Sequence, residues 1–215
     1  YNEVKEWINS DDGFFKDIPF EVYVQGSANI GTTVKPIGRS EFDVDIVVHI
    51  MVDWSKFHPS EVFNELVRRL ESHEGYKKIL KKKNRCVQLN YKGDFHIDIM
   101  IGCQREGWDN KKLLVPDREL GDWTASNPKG YAEWFMLKVD SVKETLLEKA
   151  YASRKLEPSD LTAKKPLQRA VQLIKRYRDV YFQKKKDKRT SSIILTTIAG
   201  YLYEGEASIY DTIDS

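Results

Sequence analysis

The sequence predicts an α+β fold, a mixed sheet with helices followed by a helical lobe, and three observations carry that prediction. Short β-branched runs recur in the first half, at Phe20 to Gln25, Phe42 to Met51, Cys86 to Tyr91 and Phe95 to Gly102. One strongly amphipathic helix interrupts them after Pro59. Beyond about residue 130 the apolar spacing turns to a helical period and keeps it to the end.

Taken in order, Phe20 to Gln25 reads as a strand with Val22 and Val24 on one face, running into the loop Gly26-Ser27-Ala28-Asn29-Ile30-Gly31-Thr32-Thr33. Phe42 to Met51 follows as a second strand. Pro59 sits at a first-turn position and opens a helix in which Phe63, Leu66, Val67 and Leu70 point inward, with Glu61 to His73 as its body. Cys86 to Tyr91 and Phe95 to Gly102 form a hairpin about the turn-like Lys92-Gly93-Asp94. Leu113-Leu114-Val115 is a further apolar stretch, whereas Asp122 to Lys129 is polar and broken by Pro128. Tyr131 to Lys155 reads as one long helix. Pro166 opens a second, through Tyr181, with Leu167, Ala170, Val171, Ile174 and Tyr177 as its apolar stripe, and a third spans about Ser191 to Tyr203.

At 215 residues, 40% hydrophobic, the chain can bury one sizeable core and a second helical one packed on it. The net charge of +2, from 35 Lys and Arg against 33 Asp and Glu, is too small to argue by itself for a nucleic-acid partner. Two basic runs, Lys77 to Arg85 and Lys184 to Arg189, read as solvated surface. Cys86 and Cys103 sit in or beside apolar stretches and are expected to be reduced thiols; with four histidines they are too few for a four-ligand zinc site. No apolar run approaches the length of a membrane span and no charged-then-apolar leader opens the chain, so a soluble, cytoplasmic protein is expected. The chain begins at Tyr1 and is expected to be trimmed at either end.

The chemistry lies in three aspartates. Side chains alternate along a strand, so Asp43 and Asp45 share one face while Phe42, Val44 and Ile46 take the other. Asp98 lies on the polar face of a strand whose opposite face is Phe95, Ile97, Ile99 and Ile101. Crowded carboxylates cost free energy unless neutralised, and a divalent cation is the usual remedy. Should the two strands be neighbours, the three carboxylates can hold two Mg²⁺ ions, which stand roughly 3.5 to 4 Å apart in such sites. An Asp-x-Asp strand alone reads as ordinary surface acid. The upstream Gly26-Ser27, at a strand end where backbone N–H groups and a hydroxyl can cradle phosphates, shifts that balance.

The stretch Gln25-Gly26-Ser27-Ala28-Asn29-Ile30-Gly31-Thr32-Thr33-Val34-Lys35-Pro36, followed by Glu41-Phe42-Asp43-Val44-Asp45-Ile46-Val47-Val48, resembles the CD-NTase family, bacterial relatives of cyclic GMP-AMP synthase and oligoadenylate synthase. Val115-Pro116-Asp117-Arg118 with Trp123 and Ser126 to Phe135, then Leu167 to Asp179, then Ser191 to Tyr203, are similar to the same family. The resemblance implies a polymerase-β-like nucleotidyltransferase core over residues 1–130 and a helical lobe over 131–215. It implies two Mg²⁺ ions, with Mn²⁺ as a substitute, and a cyclic di- or trinucleotide made from ATP, GTP or other nucleoside triphosphates. It further implies antiphage defence signalling through an effector activated by the product, with neither a membrane nor nucleic acid required.

Carried over by residue, Gln25, Gly26 and Ser27 would bind nucleotide, the last two at the donor's β and γ phosphates. Asp43 and Asp45 would bind the metals, and Asp98 the catalytic metal beside the acceptor hydroxyl. Lys175 and Ser192 match positions that contact the donor triphosphate; read from the residues alone, Lys175 is a solvated helix lysine and Ser192 a helix cap. His96 shares a face with Asp98 and reads as a polar strand residue, and Tyr177, Tyr181 and Tyr201 read as core packing ahead of base stacking. Family members continue through further helices, so a C-terminal truncation is expected. The cysteines of the animal sensors' zinc insertion are missing, which argues against DNA sensing by that route. Two rivals remain: a transferase that adds nucleotides to an RNA end or a protein without cyclising, and a catalytically silent module holding nucleic acid or protein.

Overall fold

The computed structural model describes residues 1–37, 42–91, 93, 95–142 and 164–214. These divide into two compact units, one made of residues 1–28 and 39–130, the other of residues 29–38 and 131–215.

The first unit is a seven-stranded mixed sheet with helices on one face. Helix α1 (Asn2–Asn9) leads to β1 (Phe20–Gln25), the single turn α2 (Gly26–Asn29), the long β2 (Phe42–Asp53), α3 (Pro59–Glu71) and α4 (Glu74–Ile79). Strands β3 (Leu80–Lys82), β4 (Cys86–Tyr91), β5 (Phe95–Gln104), β6 (Leu113–Asp117) and β7 (Asp122–Ser126) follow. The strand order is β1-β2-β5-β4-β3, with β6 pairing β5 and β7. Only β2 and β5 are parallel among these pairs, with Asp43 opposite His96 and Asp45 opposite Asp98.

One sheet face is apolar because every second residue makes it so. Val22, Ile46, Val48, Ile50, Val87, Leu89, Ile97, Ile99, Ile101 and Cys103 are buried there against Val4 and Ile8 of α1 and Val62, Phe63, Leu66, Val67 and Leu70 of α3. The α3 face predicted from its period is the buried one. Pro59 opens this helix, and His58 and Glu61 close a capping box. The predicted hairpin of β4 and β5 is present, from Cys86↔Met100 to Tyr91↔Phe95; Lys92 and Asp94 of its turn lie outside the described residues.

The second unit packs around Ile30, Phe135, Val139, Val142, Leu167, Val171 and Tyr203. Its helices are α5 (Pro128–Asp140), which starts in the sheet unit, α6 (Pro166–Tyr181), α7 (Ser192–Leu202) and α8 (Ile209–Asp214). The second and third predicted helices are thus present within a residue of their expected ends.

Four expectations need correction. The first predicted helix stops at Asp140, where Ser141 donates through its amide to Lys138 and through its hydroxyl to the same carbonyl; residues 143–155 lie outside the described residues. Asp122 to Ser126, read from the sequence only as a polar stretch, is strand β7, whose pairing partner β6 is joined to it by a turn held by the Asp117 carboxylate on the amides of Glu119 and Leu120. Tyr177, Tyr181 and Tyr201 are exposed rather than core. Lys175 is buried rather than solvated, and one reason covers both it and Tyr177. The buried side of α6 continues through Gln168 and Lys175, whose polar ends bond the segment 30–32, and this turns Tyr177 outward.

Candidate active site

The register of β1, β2, β5 and β4 sets Gln25, Asp45, Asp98 and Gln88 side by side in one row on the sheet face opposite the core. One step along the strands, Asp43 and His96 make the next row. The two strands that the sequence reading needed as neighbours are neighbours, and their parallel pairing is what aligns the carboxylates.

Within this grid His96 Nε2 lies 3.2 Å from Asp43 Oδ1, and Gln88, itself nearly buried, donates from Nε2 to Asp98 Oδ1 at 2.9 Å. Ligand-capable atoms of Asp43, His96 and Asp98 all fall within 4.8 Å of one another. Desolvation raises the Asp43 pKa; His96 opposes that shift and Asp98 adds to it. Asp98, Asp45 and Asp43 all act on the neighbouring Cys86, whose thiol is pushed up to about 12, first by burial and then by Asp98. Cys103 is likewise raised to about 12 by its burial, and both cysteines are free thiols. The cluster therefore concentrates negative charge in partly desolvated surroundings, and a set of two carboxylates and an imidazole fits a divalent ion.

Gly26 adjoins the cluster at its edge. It has a φ of 63°, in the left-handed region, and a β-carbon built on it would stand 2.2 Å from Asp45 Oδ2. Glycine is required here on both counts. Gln25 pairs with Asp45 across β1 and β2, and Ser27 follows Gly26 in α2. The sheet unit thus assembles Gln25, Gly26, Ser27, Asp43, Asp45 and Asp98.

Lys175 and Ser192 belong to the second unit. Lys175 Nζ donates to Thr32 Oγ1 at 3.0 Å and to the Thr32 carbonyl at 3.3 Å, while Ser192 Oγ accepts from Arg178 Nη1 at 3.0 Å. His96 was placed on the Asp98 face but read as a polar strand residue, and Gln88 was passed over. The signal for His96 was its place two residues before Asp98 on the same face; for Gln88 it was the hairpin register, which pairs it with Asp98.

A mixed sheet that carries an Asp-x-Asp strand parallel to a third aspartate, with a glycine turn against it, is a polymerase-β-like core. The Second Messenger Oligonucleotide or Dinucleotide Synthetase domain matches residues 1–138, and the chain belongs to that family. It is 44% identical over 214 residues to the c-di-GMP synthase of Roseivirga ehrenbergii, a match covering 100% of this chain and 57% of that protein. A probable cyclic AMP-AMP-GMP nucleotide synthase of Salmonella paratyphi B is 28% identical over 99 residues, 46% of this chain and 25% of that one. Among solved structures, the Bradyrhizobium diazoefficiens CD-NTase CdnG in complex with GTP superposes with a TM-score of 0.75 at 21% identity, covering 99% of this chain and 66% of that one. Escherichia coli DncV in its 3'-deoxy GTP bound form gives 0.68 at 19% identity, covering 93% and 51%. The chain thus spans a little over half the length of its 44% identical relative. The family and fold read from the motifs are borne out. No helix among the described residues is long and apolar enough to cross a membrane.

Proposed function

We propose that this chain is the catalytic part of a nucleotidyltransferase that joins nucleoside triphosphates into a cyclic di- or trinucleotide second messenger. The observation that carries the reading is the alignment of Asp43 and Asp45 on β2 with His96 and Asp98 on β5, with Gly26 against Asp45. Catalysis of phosphoryl transfer is mostly positioning and charge neutralisation, and this grid offers both.

Asp43, Asp45 and Asp98 would hold Mg²⁺, which supplies charge neutralisation at the triphosphate and a lowered pKa at the acceptor hydroxyl. Gly26 gives the donor phosphates close access to backbone, and Ser27 offers them a hydroxyl. Gln25 lines the same edge. Gln88 bonds one Asp98 oxygen and so holds that carboxylate in one orientation, leaving its second oxygen for the metal. Lys175 and Ser192, on the helical lobe, are carried as further nucleotide-binding residues. Residues 1–130 form the catalytic core and 131–215 the helical lobe, apart from the segment 29–38. The 44% identity to a c-di-GMP synthase makes GTP the first substrate and cyclic di-GMP the first product to seek. The product would activate an effector in antiphage defence, in the cytoplasm where the triphosphates are made.

The test is incubation of the full-length protein with labelled ATP, GTP, CTP and UTP, singly and mixed, with Mg²⁺ or Mn²⁺, followed by phosphatase treatment and mass analysis. A phosphatase-resistant product absent from an Asp43→Asn/Asp45→Asn variant supports cyclisation. A labelled product with a phosphatase-sensitive end points instead to the non-cyclising transferase.

A further inference from the structure

We infer that His96 is a ligand of the divalent ion at the Asp43–Asp98 cluster, and that this nitrogen donor gives the centre a preference for Mn²⁺ over Mg²⁺. The inference rests on the proposal that these carboxylates hold metal. Its own ground is the geometry of one imidazole.

Parallel pairing puts His96 directly across from Asp43, two residues before Asp98 on the same strand face. Its Nε2 stands 3.2 Å from Asp43 Oδ1, and one donor atom from each of Asp43, His96 and Asp98 falls within a span of 4.8 Å. Donors on opposite sides of a single ion stand roughly 4 Å apart, so the three need little adjustment to share one. The ring is partly buried, with 24% of its side chain exposed against 54% for Asp43. It therefore approaches from the wall of the site.

Ligand chemistry then decides the ion. Mg²⁺ is hard, demands near-ideal octahedral oxygen coordination and keeps its waters. Affinity for nitrogen donors rises along the first-row series that Mn²⁺ begins, and Mn²⁺ also accepts carboxylates. An oxygen-only centre built on the same strands would treat the two ions more evenly. One imidazole in place of one oxygen donor favours Mn²⁺.

The test is a Mn²⁺ titration of the full-length protein by electron paramagnetic resonance, without nucleotide and in competition with Mg²⁺. Electron spin-echo modulation on the bound ion is recorded in the same samples. The expected result is ¹⁴N coupling in the wild type, lost in His96→Gln, with Mn²⁺ affinity falling about tenfold or more and Mg²⁺ affinity little changed. Bound Mn²⁺ with no ¹⁴N coupling would overturn the inference while leaving the metal-holding role of the aspartates intact, and the wild-type spectrum alone decides this should the variant fail to fold. Mn²⁺ binding unchanged in Asp43→Asn/Asp98→Asn would overturn both.

Discussion

The carboxylate of Asp45 occupies the space that a side chain at position 26 would need: a β-carbon on Gly26 would come within 2.2 Å of Asp45 Oδ2, with the backbone there at a φ of 63°. Gly26→Ala must therefore strain the backbone and displace the carboxylate together. We expect it to cost about 1 to 3 kcal/mol in stability and to remove nucleotide turnover. Thermal melts paired with the product assay check this, and a variant as active as the wild type would separate Gly26 from the site.

Asp43 carries a raised pKa, chiefly through desolvation, because its charged form is poorly accommodated without a cation. A carboxyl whose folded pKa exceeds its unfolded value withdraws stability as pH rises through that interval, and the whole penalty is present at neutral pH. Asp43→Asn should therefore leave the metal-free protein at least as stable as the wild type at pH 7 while abolishing synthesis. Differential scanning calorimetry with a chelator, beside the turnover assay, would show it; a large loss of stability would contradict the electrostatic account.

Asp11 behaves in the opposite sense. Burial alone would raise its pKa, but the Phe15 amide at 3.0 Å and then Arg68 at 3.0 Å hold it below the ordinary carboxylate value. Its contribution is complete above the unfolded pKa and is lost as pH falls through the lower folded one. Asp11→Ala leaves Arg69 without this nearby carboxylate and should cost about 3 kcal/mol at pH 7. The gap between variant and wild type should narrow below about pH 4, as urea titrations across pH would reveal.

Four side chains on one side of α6 bond the segment that follows the glycine turn. Gln168 donates to the Ile30 carbonyl at 2.9 Å, Gln172 to Thr33 at 2.6 Å, Arg176 to Lys35 at 2.6 Å, and Lys175 to Thr32. Gly31, at a φ of 70°, lets this segment pass so close that a β-carbon would meet Gln168 Nε2 at 2.5 Å. Gln168→Ala should cost about 1 to 3 kcal/mol by stranding the Ile30 carbonyl. Hydrogen exchange over residues 29–37 should rise in that variant and stay low in Gln168→Glu only if the carboxyl is protonated, so the comparison is made at two pH values.

Lys175 sits buried beside Thr32, and its proposed second role is at the donor triphosphate. Lys175→Met, which keeps the stem and removes the charge, should raise the KM for the nucleotide several-fold. Product identity should not change. Steady-state kinetics with mass analysis checks both, and an unaltered KM would confine Lys175 to holding Thr32.

Much of this molecule was legible because local periodicity follows from burial. Val44 and Ile46 alternate with Asp43 and Asp45 since at this end of β2 only one sheet face meets the core, and that pattern needs no tertiary knowledge. The same holds for α3, whose Phe63, Leu66, Val67 and Leu70 declare the buried side. The polar strand β7 was missed because its pairing with β6 comes from a turn built on Asp117, and strand pairing is not written in apolar alternation. Tyr177, Tyr181 and Tyr201 were misjudged because helical period does not say where a buried stripe ends.

By itself the sequence determined the α+β class, the family and the carboxylates on a common face, each a consequence of residues a few positions apart. Tertiary structure alone decided that β2 and β5 are parallel neighbours, that His96 and Gln88 join Asp43 and Asp98, and that α6 bonds residues 30–35. Those relations join positions from ten to more than a hundred residues apart. They depend on register and on buried polar groups finding partners, which only the packed chain supplies.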